Sequence, residues 1–99
     1  MVLYQSSPAA EEDLTETWIY LTEKASEQVA DRTIDETSAT GQHLAQSPLT
    51  GRARNEFRQG LRSFPADTYL VFYDAVATNH IVVRRVLHQR RDVEALLGG

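Results

Sequence analysis

The stretch that decides the fold runs from Gly60 to Asp92 and reads GLRSFPADTYLVFYDAVATNHIVVRRVLHQRRD. Three β-prone runs lie within it, separated by turn-forming residues, and they span Leu61–Phe64, Tyr69–Asp74 and Ile81–His88. The middle run is apolar at successive positions, which is typical of a central strand with both faces covered. In the last run, simple alternation predicts that the odd-numbered residues face one side of the sheet and the even-numbered residues face the other.

A short strand and a helix are predicted at the N-terminal end of the chain. Residues 2–4 (Val-Leu-Tyr) form a β-prone run. Ser7 and Pro8 then indicate a helix start, because serine caps a helix and proline fits the first helical position. An apolar face at helical spacing follows, contains Trp18 and Leu21, and ends near Lys24.

A second helix is predicted from a cap at Ser26 to the break made by Pro48 and Gly51. The short connection predicts an antiparallel helical hairpin. The inward stripe of this helix is poor in large apolar groups and contains Ala30, Ile34, Thr37, Gly41 and Leu44. Small residues in that stripe predict a close approach between the two helices, although glycine inside a helix costs about 1 kcal/mol relative to alanine.

The predicted element order is therefore β-α-α-β-β-β, within one domain that covers residues 1–99. Helices followed by a run of strands indicate the α+β class, with an N-terminal strand, an antiparallel helical hairpin and then three antiparallel strands. The helices are expected on one face of an antiparallel sheet. Asp92 can cap a short C-terminal helical turn that reaches Leu97.

Charge is distributed unevenly along the chain. The net charge is −4, but residues 1–50 carry two basic and nine acidic side chains, whereas residues 51–99 carry eight arginines and five acids. Arginine suits two-point recognition of carboxylate or phosphate better than lysine does. The arginines therefore meet a nucleic acid, an acidic protein segment or the carboxylates of the same chain.

Composition and motifs exclude several classes of protein. The chain has no cysteine, which excludes disulfides and thiolate metal sites and fits a reducing cytoplasm. His43, His80 and His88 lack partners at metal-ligand spacing, so no metal is expected. No glycine-rich phosphate loop, signal peptide or membrane-spanning run is found, and no cofactor or membrane association is expected.

Several sequence motifs, taken in order, resemble the ParE branch of the RelE/ParE toxin superfamily. The first helix resembles that family's pattern A-x-x-D-L-x-x-I-W-x-Y, and the segment after the second helix resembles P-x-x-G-R. The matching residues are Ala10–Leu14 with Trp18 and Tyr20, Ser47–Arg52, Gly60–Pro65, Tyr69–Tyr73 and Val86–Asp92. The chain departs from the pattern at Thr37 and Gly41, where larger apolar residues are more usual, and at Arg84, where one arginine is usual instead of two.

The resemblance implies a toxin of a bacterial type II toxin–antitoxin module. ParE-like toxins poison DNA gyrase, whereas RelE-like toxins cut messenger RNA, often on the ribosome; an inactive toxin that only binds its antitoxin is a third reading. A sequence pI of about 5.2 with a single lysine favours a protein target, because affinity for RNA depends on many lysines and arginines. We therefore expect a cytoplasmic gyrase inhibitor that has no enzymatic activity of its own.

In the alternative interpretation the protein is a ribonuclease, and four residues are candidates for its active site. Cleavage at a 2′-hydroxyl needs a base, an acid and a cation, and Glu56, His88 and either Arg62 or Arg85 could supply them. The simpler interpretation is that Glu56 pairs with a neighbouring arginine and that His88 bonds to Asp92 or to the backbone.

The resemblance also implies two protein-binding surfaces. A ParD-like antitoxin has an acidic amphipathic segment, which needs an apolar groove with a basic rim on the toxin. The antitoxin, not the toxin, is expected to contact DNA. The resemblance is also compatible with a hetero-oligomer of toxin and antitoxin. The residues expected to bind it are Arg52, Arg54, Arg58, Arg62, Trp18 and Leu21. The residues expected to bind the target are His88, Arg90, Arg91, Asp92, Leu96 and Leu97.

Overall fold

The structure is a computed structural model that describes residues 1–90. The elements are β1 (Leu3–Ser6), α1 (Pro8–Lys24), α2 (Glu27–Gln46), β2 (Arg52–Ala53), β3 (Arg62–Ala66), β4 (Tyr69–Ala77) and β5 (His80–His88). The predicted α+β class and the helical hairpin are confirmed. The two-residue strand β2 was not predicted, and the expected helical turn from Asp92 to Leu97 lies outside the described residues.

The two predicted helix starts are confirmed in atomic detail. The Ser7 hydroxyl accepts a hydrogen bond from the Ala10 amide at 3.1 Å, and Pro8 occupies the first helical position. The Ser26 hydroxyl accepts from the Val29 amide, also at 3.1 Å. Each cap satisfies an amide that the helix itself leaves without a partner.

The five strands form one sheet in the order β1-β5-β4-β3-β2. Strand β4 is central, as its apolar sequence predicts, and it pairs antiparallel with β3 and β5. The predicted antiparallel pairing holds for β3, β4 and β5, and the sheet departs from it at one edge, where β1 runs parallel to β5, with Tyr4 opposite Ile81. The helical hairpin between β1 and the later strands supplies the long connection that a parallel pair requires.

The main core lies between the helices and the sheet, and a smaller cluster lies on the outer face. Leu44 of α2 packs in the main core with Val71 and Tyr73 of β4. On the opposite face, Phe72 packs with Leu61 and Leu87 in the smaller cluster. The chain between β2 and β3, residues 54–61, contributes to this outer cluster and helps to cover it.

A β-bulge at Arg84 changes the faces of strand β5. Phe72 pairs with Arg85 and Tyr73 pairs with Val83, so Arg84 has no opposite residue on β4. Val83 and Val86 both pack in the main core, whereas Leu87 packs in the outer cluster. The prediction that odd-numbered residues of β5 share one face is therefore wrong beyond Val83, because one extra residue reverses the alternation.

The small residue at position 41 makes room for a strand residue instead of the other helix. A Cβ atom added to Gly41 would lie 2.6 Å from two carbons of the Tyr4 ring. The predicted close approach of two helices at this point is wrong, because the ring of Tyr4 on β1 fills the space. Among the helices of residues 1–90, none combines the length and the apolar character needed to span a bilayer.

Candidate functional site

The outer face of the sheet carries a groove with a volume of about 580 Å³. It is lined by Phe57, Arg58, Leu61, Phe72, Asp74, Arg84 and Arg85. Apolar side chains form part of its wall, and charged side chains from three segments of the chain form the rest.

The segment from Arg54 to Leu61, here called the outer loop, builds one wall of this groove. The Arg54 amide donates to the Leu61 carbonyl at 2.7 Å, which closes the loop on itself. The Gly60 amide donates to the Asn55 side chain, and Gly60 has a φ of 88°, which favours glycine. Phe57 then packs edge-on against Phe72, with 6.2 Å between ring centroids. The loop is thereby held against the sheet.

Asp74 joins two arginines from separate segments in this groove. The Nη2 atom of Arg58 donates to both oxygens of Asp74, at 2.8 and 3.0 Å. The Nε atom of Arg84, the bulge residue, donates to Oδ2 of Asp74 at 2.7 Å. The Asp74 side chain is 16% exposed, whereas the two arginine side chains are about half exposed. A single carboxylate therefore lies beneath two outward-reaching cations.

Asp13 of α1 binds the third arginine of the groove. Its oxygens accept from Nε and Nη2 of Arg85 at 2.7 and 2.9 Å, and Oδ2 also accepts from the Val86 amide at 3.0 Å. The hydrogen bonds to Asp13 raise the pKa of the Arg85 guanidinium above its usual value, despite partial burial. Arg85 is therefore a fixed charge with a fixed orientation.

Arg54 lies beside the same face and binds Glu56. Its Nη1 atom is 3.2 Å from Oε2 of Glu56, and its Nε donates to the Ser63 hydroxyl at 2.7 Å. Its guanidinium carbon lies 5.6 Å from the ring centre of Phe72 and 5.8 Å from that of Phe57, within cation–π range. A backbone hydrogen bond to the carboxylate, with further help from Arg54, lowers the pKa of Glu56 below its usual value.

The four residues of the ribonuclease alternative are divided between the two faces of the sheet. Arg62 pairs across the strands with Tyr73, and His88 pairs with Tyr69, both of which pack in the helix-side core. Cross-strand partners share a face, so Arg62 and His88 lie on the helix side. Glu56 and Arg85 belong instead to the outer side.

Arg62 is engaged with the backbone of the loop after α2. Its Nη1 donates to the Gly51 carbonyl at 2.6 Å and to the Leu49 carbonyl at 3.3 Å. In the same region the Tyr73 hydroxyl donates to the Pro48 carbonyl at 2.7 Å and accepts from the Gly51 amide at 2.8 Å. Two strand side chains thus fix this loop, and burial raises the pKa of the Tyr73 hydroxyl above 10.0.

The expected antitoxin-binding residues do not form one uniform rim. Arg54, Arg58 and Arg62 all have the internal partners given above. Arg52 is exposed, and it forms no salt bridge with any residue in the described part of the chain. Trp18 is half-buried and donates from its indole nitrogen to Asp31 at 2.8 Å, which links α1 to α2. Leu21 is half-buried on the same helix.

The expected target-binding segment is described only in part. The His88 ring packs edge-on against Tyr69 at 5.4 Å, and its Nδ1 atom accepts from the Arg90 amide at 3.2 Å. The backbone bond expected for His88 is therefore present. Arg91, Asp92, Leu96 and Leu97 lie outside the described residues.

Sequence reasoning missed Asp13, Phe57, Phe72 and Asp74 as parts of a common site. Asp74 gave a usable signal, because a carboxylate at the end of an apolar central strand needs a partner. Its two partners depend on the outer loop and on the bulge, neither of which has a clear sequence signature. No cluster of three metal-ligating side chains occurs within residues 1–90.

The same fold is found in a solved structure. A solved structure described as "Chromosomal ParDE TA system from P. aeruginosa" superposes with a TM-score of 0.75. The match covers 89% of this chain and 96% of that chain, at 14% sequence identity. At that identity the likeness establishes the shared fold alone.

Sequence comparison then gives the family. Residues 4–93 match the family described as "ParE toxin of type II toxin-antitoxin system, parDE". The chain is 35% identical over 91 residues to "Toxin ParE1" of Mycobacterium tuberculosis strain H37Rv, covering 92% of this chain and 93% of the relative. It is 33% identical over 96 residues to "Toxin ParE1" of Caulobacter vibrioides, covering 96% and 97%. The chain belongs to the ParE toxin family.

Proposed function

We propose that this toxin inhibits DNA gyrase by binding to it, without an enzymatic activity of its own, and that a ParD-like antitoxin neutralises it. Membership of the ParE family supports the first part, since gyrase is the target that the resemblance implies. The relatives' toxin–antitoxin names support the second part.

The separation of the ribonuclease residues is the observation that carries this proposal. A general base, a general acid and a stabilising cation must reach one scissile phosphate. Here His88 and Arg62 lie on the helix side, whereas Glu56 and Arg85 lie on the outer side. The lowered pKa of Glu56 also works against proton abstraction at neutral pH, where an efficient base has a pKa raised toward 7.

The internal pairing of the arginines supports the same interpretation. Four salt bridges within residues 1–90 bind Arg54, Arg58, Arg84 and Arg85 to carboxylates of the chain itself. A surface that binds RNA phosphates needs cations that remain available to release counterions. This chain instead presents a surface on which positive side chains are paired with negative ones, and such a surface suits a protein partner with a complementary pattern of charges.

The test uses purified protein without antitoxin in two parallel assays. In the first, the protein is incubated with gyrase and relaxed or supercoiled DNA, and we expect inhibited supercoiling or stabilised DNA cleavage. In the second, it is incubated with translating ribosomes, and we expect intact messenger RNA. Cleaved messenger RNA together with unaffected gyrase would replace the proposal with the endonuclease alternative.

Antitoxin binding is tested separately from toxicity. The product of the neighbouring open reading frame is co-expressed with the toxin, and we expect a stable complex that suppresses gyrase inhibition. A ligand that binds only the folded state also raises the melting temperature. An unchanged melting temperature, together with undiminished gyrase inhibition, would contradict the antitoxin part of the proposal.

A further inference from the structure

The outer-face groove combines two features that proteins use to bind single-stranded nucleic acid. The half-buried ring of Phe57 provides a surface on which a base can stack, whereas Phe72, against which it packs, is fully buried; arginines provide contacts to phosphates. Arg58, Arg84 and Arg85 line this groove, and the groove lies open on a sheet. The local residue types would therefore suit RNA or single-stranded DNA.

The carboxylates of the same region remove most of that positive charge. Arg54 is bound by Glu56, Arg85 by Asp13, and both Arg58 and Arg84 by Asp74. Three carboxylates thus oppose four guanidinium groups and leave one excess positive charge. Asp74 differs from the other two carboxylates, because it neutralises two arginines and lines the groove itself.

We propose that Asp74 is a specificity-determining residue that keeps nucleic acid out of this groove. Its oxygens occupy the position between Arg58 and Arg84 where a phosphate would otherwise bind. The 16% exposure of the Asp74 side chain places the carboxylate below the two guanidinium groups. An entering phosphate would therefore be repelled by the carboxylate, and it would find the arginine N–H donors already hydrogen-bonded to Asp74. A protein can reject a ligand by placing a charge of the same sign as the ligand within the binding surface, and this is a general means of specificity.

The inference is independent of the gyrase proposal. It concerns which polyanions the toxin fails to bind, and it holds whether the toxic act is directed at gyrase or elsewhere. The measurement below uses only the purified full-length chain and an oligonucleotide, so it can fail while the gyrase assay succeeds, and the reverse is also true.

The test measures binding of a short fluorescent single-stranded RNA by anisotropy. Asp74→Asn retains the size of the side chain and removes the charge. We expect this variant to bind the RNA at least about tenfold more tightly than the unaltered protein. The slope of log affinity against log salt concentration should also be steeper by about 1.4, because two arginines become available to contact phosphates. Equal affinity in the variant and the unaltered protein would overturn the proposal.

Two controls separate a local effect from a change in net charge. Asp35→Asn makes the same charge change on the exposed surface of α2, and Asp74→Glu retains the charge in the groove. Both should bind RNA as weakly as the unaltered protein. If Asp35→Asn tightens binding as much as Asp74→Asn, the effect is one of net charge and the proposal is wrong.

A second pair of variants covers the case in which Asp74→Asn does not fold. The double change Arg58→Gln with Asp74→Asn leaves only one cation without its carboxylate. Compared with Arg58→Gln alone, the double variant should bind RNA several-fold more tightly, because Arg84 becomes available. Equal binding by these two folded proteins would overturn the proposal.

Discussion

Asp13 on α1 and Arg85 on β5 are 72 residues apart in sequence, and their side chains form a two-point ion pair at the edge of the sheet. Strand β1 pairs with β5 only as far as Val83. Beyond it, the Ser7 hydroxyl donates to the Arg84 carbonyl, and Asp13 accepts from the Val86 amide. Side chains at the start of α1 therefore replace the missing neighbour strand and satisfy the exposed backbone groups.

We expect Asp13→Ala to lower the free energy of unfolding by about 2–4 kcal/mol. The change leaves the Arg85 guanidinium and the Val86 amide without their acceptor, and removing one partner of a buried pair is costly. The Asp13 side chain is 8% exposed and that of Arg85 is 27% exposed, so solvent compensates only in part. Urea unfolding followed by circular dichroism measures the difference.

A matched control for Asp13→Ala is Glu23→Ala on the same helix. Glu23 is exposed, so its removal should change stability by less than about 0.5 kcal/mol. Equal effects of the two substitutions would show that the ion pair and the backbone contact contribute nothing specific.

We expect Tyr73→Phe to destabilise the fold by about 1–3 kcal/mol at neutral pH, because the buried Gly51 amide loses its acceptor. The pKa of Tyr73 is raised in the folded state, so its contribution is complete below pH 10.0 and is lost as the pH rises through the folded pKa. Unfolding free energies measured from about pH 8 to 11 should therefore fall less steeply in the variant than in the unaltered protein. Parallel curves would contradict this assignment.

Gly51→Ala tests the same loop by adding volume. A Cβ at this position would clash with the Tyr73 hydroxyl oxygen and would lie 2.9 Å from the Ser63 carbonyl oxygen. Since the second atom belongs to the backbone of β3, a side-chain movement alone cannot relieve the clash. We expect a loss of about 1–3 kcal/mol in the free energy of unfolding, and no loss would mean that the loop adjusts freely.

Arg52 and Arg62 should differ in their effect on antitoxin binding. Arg52 is exposed, so Arg52→Glu should slow association with the antitoxin severalfold at low salt, and raised salt should reduce the difference. Arg62→Ala should act mainly on stability, because Arg62 donates to the Gly51 and Leu49 carbonyls. Stopped-flow association rates and urea unfolding of both variants distinguish the two roles, and a salt-independent effect of Arg52→Glu would contradict its role at the rim.

His88→Gln should leave toxicity within about threefold of the unaltered protein, whereas loss of a true general acid would cost about 100- to 10,000-fold. Glutamine can still accept a hydrogen bond from the Arg90 amide, as the His88 ring does. Arg90→Glu should reduce gyrase inhibition more strongly, because it reverses a charge in the expected target-binding segment. Growth arrest after induction, scored beside supercoiling assays, measures both.

The sequence predicts the elements of this fold better than it predicts the site. Ser7, Pro8 and Ser26 are local signals that act within one helical turn, so the helix starts follow from the sequence directly. The central position of β4 likewise follows from apolar residues on both of its faces. The site depends on longer-range geometry.

Two details of that geometry have no reliable local signal. The bulge at Arg84 inserts one residue into β5 and moves every later side chain to the opposite face. The contact between Gly41 and Tyr4 depends on β1 lying beneath α2, which in turn depends on its parallel pairing with β5. Arginine content predicted acidic contacts, but it could not reveal that Asp74 and Asp13 supply them internally.

The pairing of β1 with β5 also determines when the toxin can acquire its structure during synthesis. The first strand finds its partner only after residues 80–83 have been made, so early translation leaves Tyr4 and the small-residue side of α2 without a complete sheet. Contacts between such distant parts of a chain form late and slowly. A chain that ends before residues 80–83 therefore leaves β1 without its partner strand and lacks the folded surfaces described above.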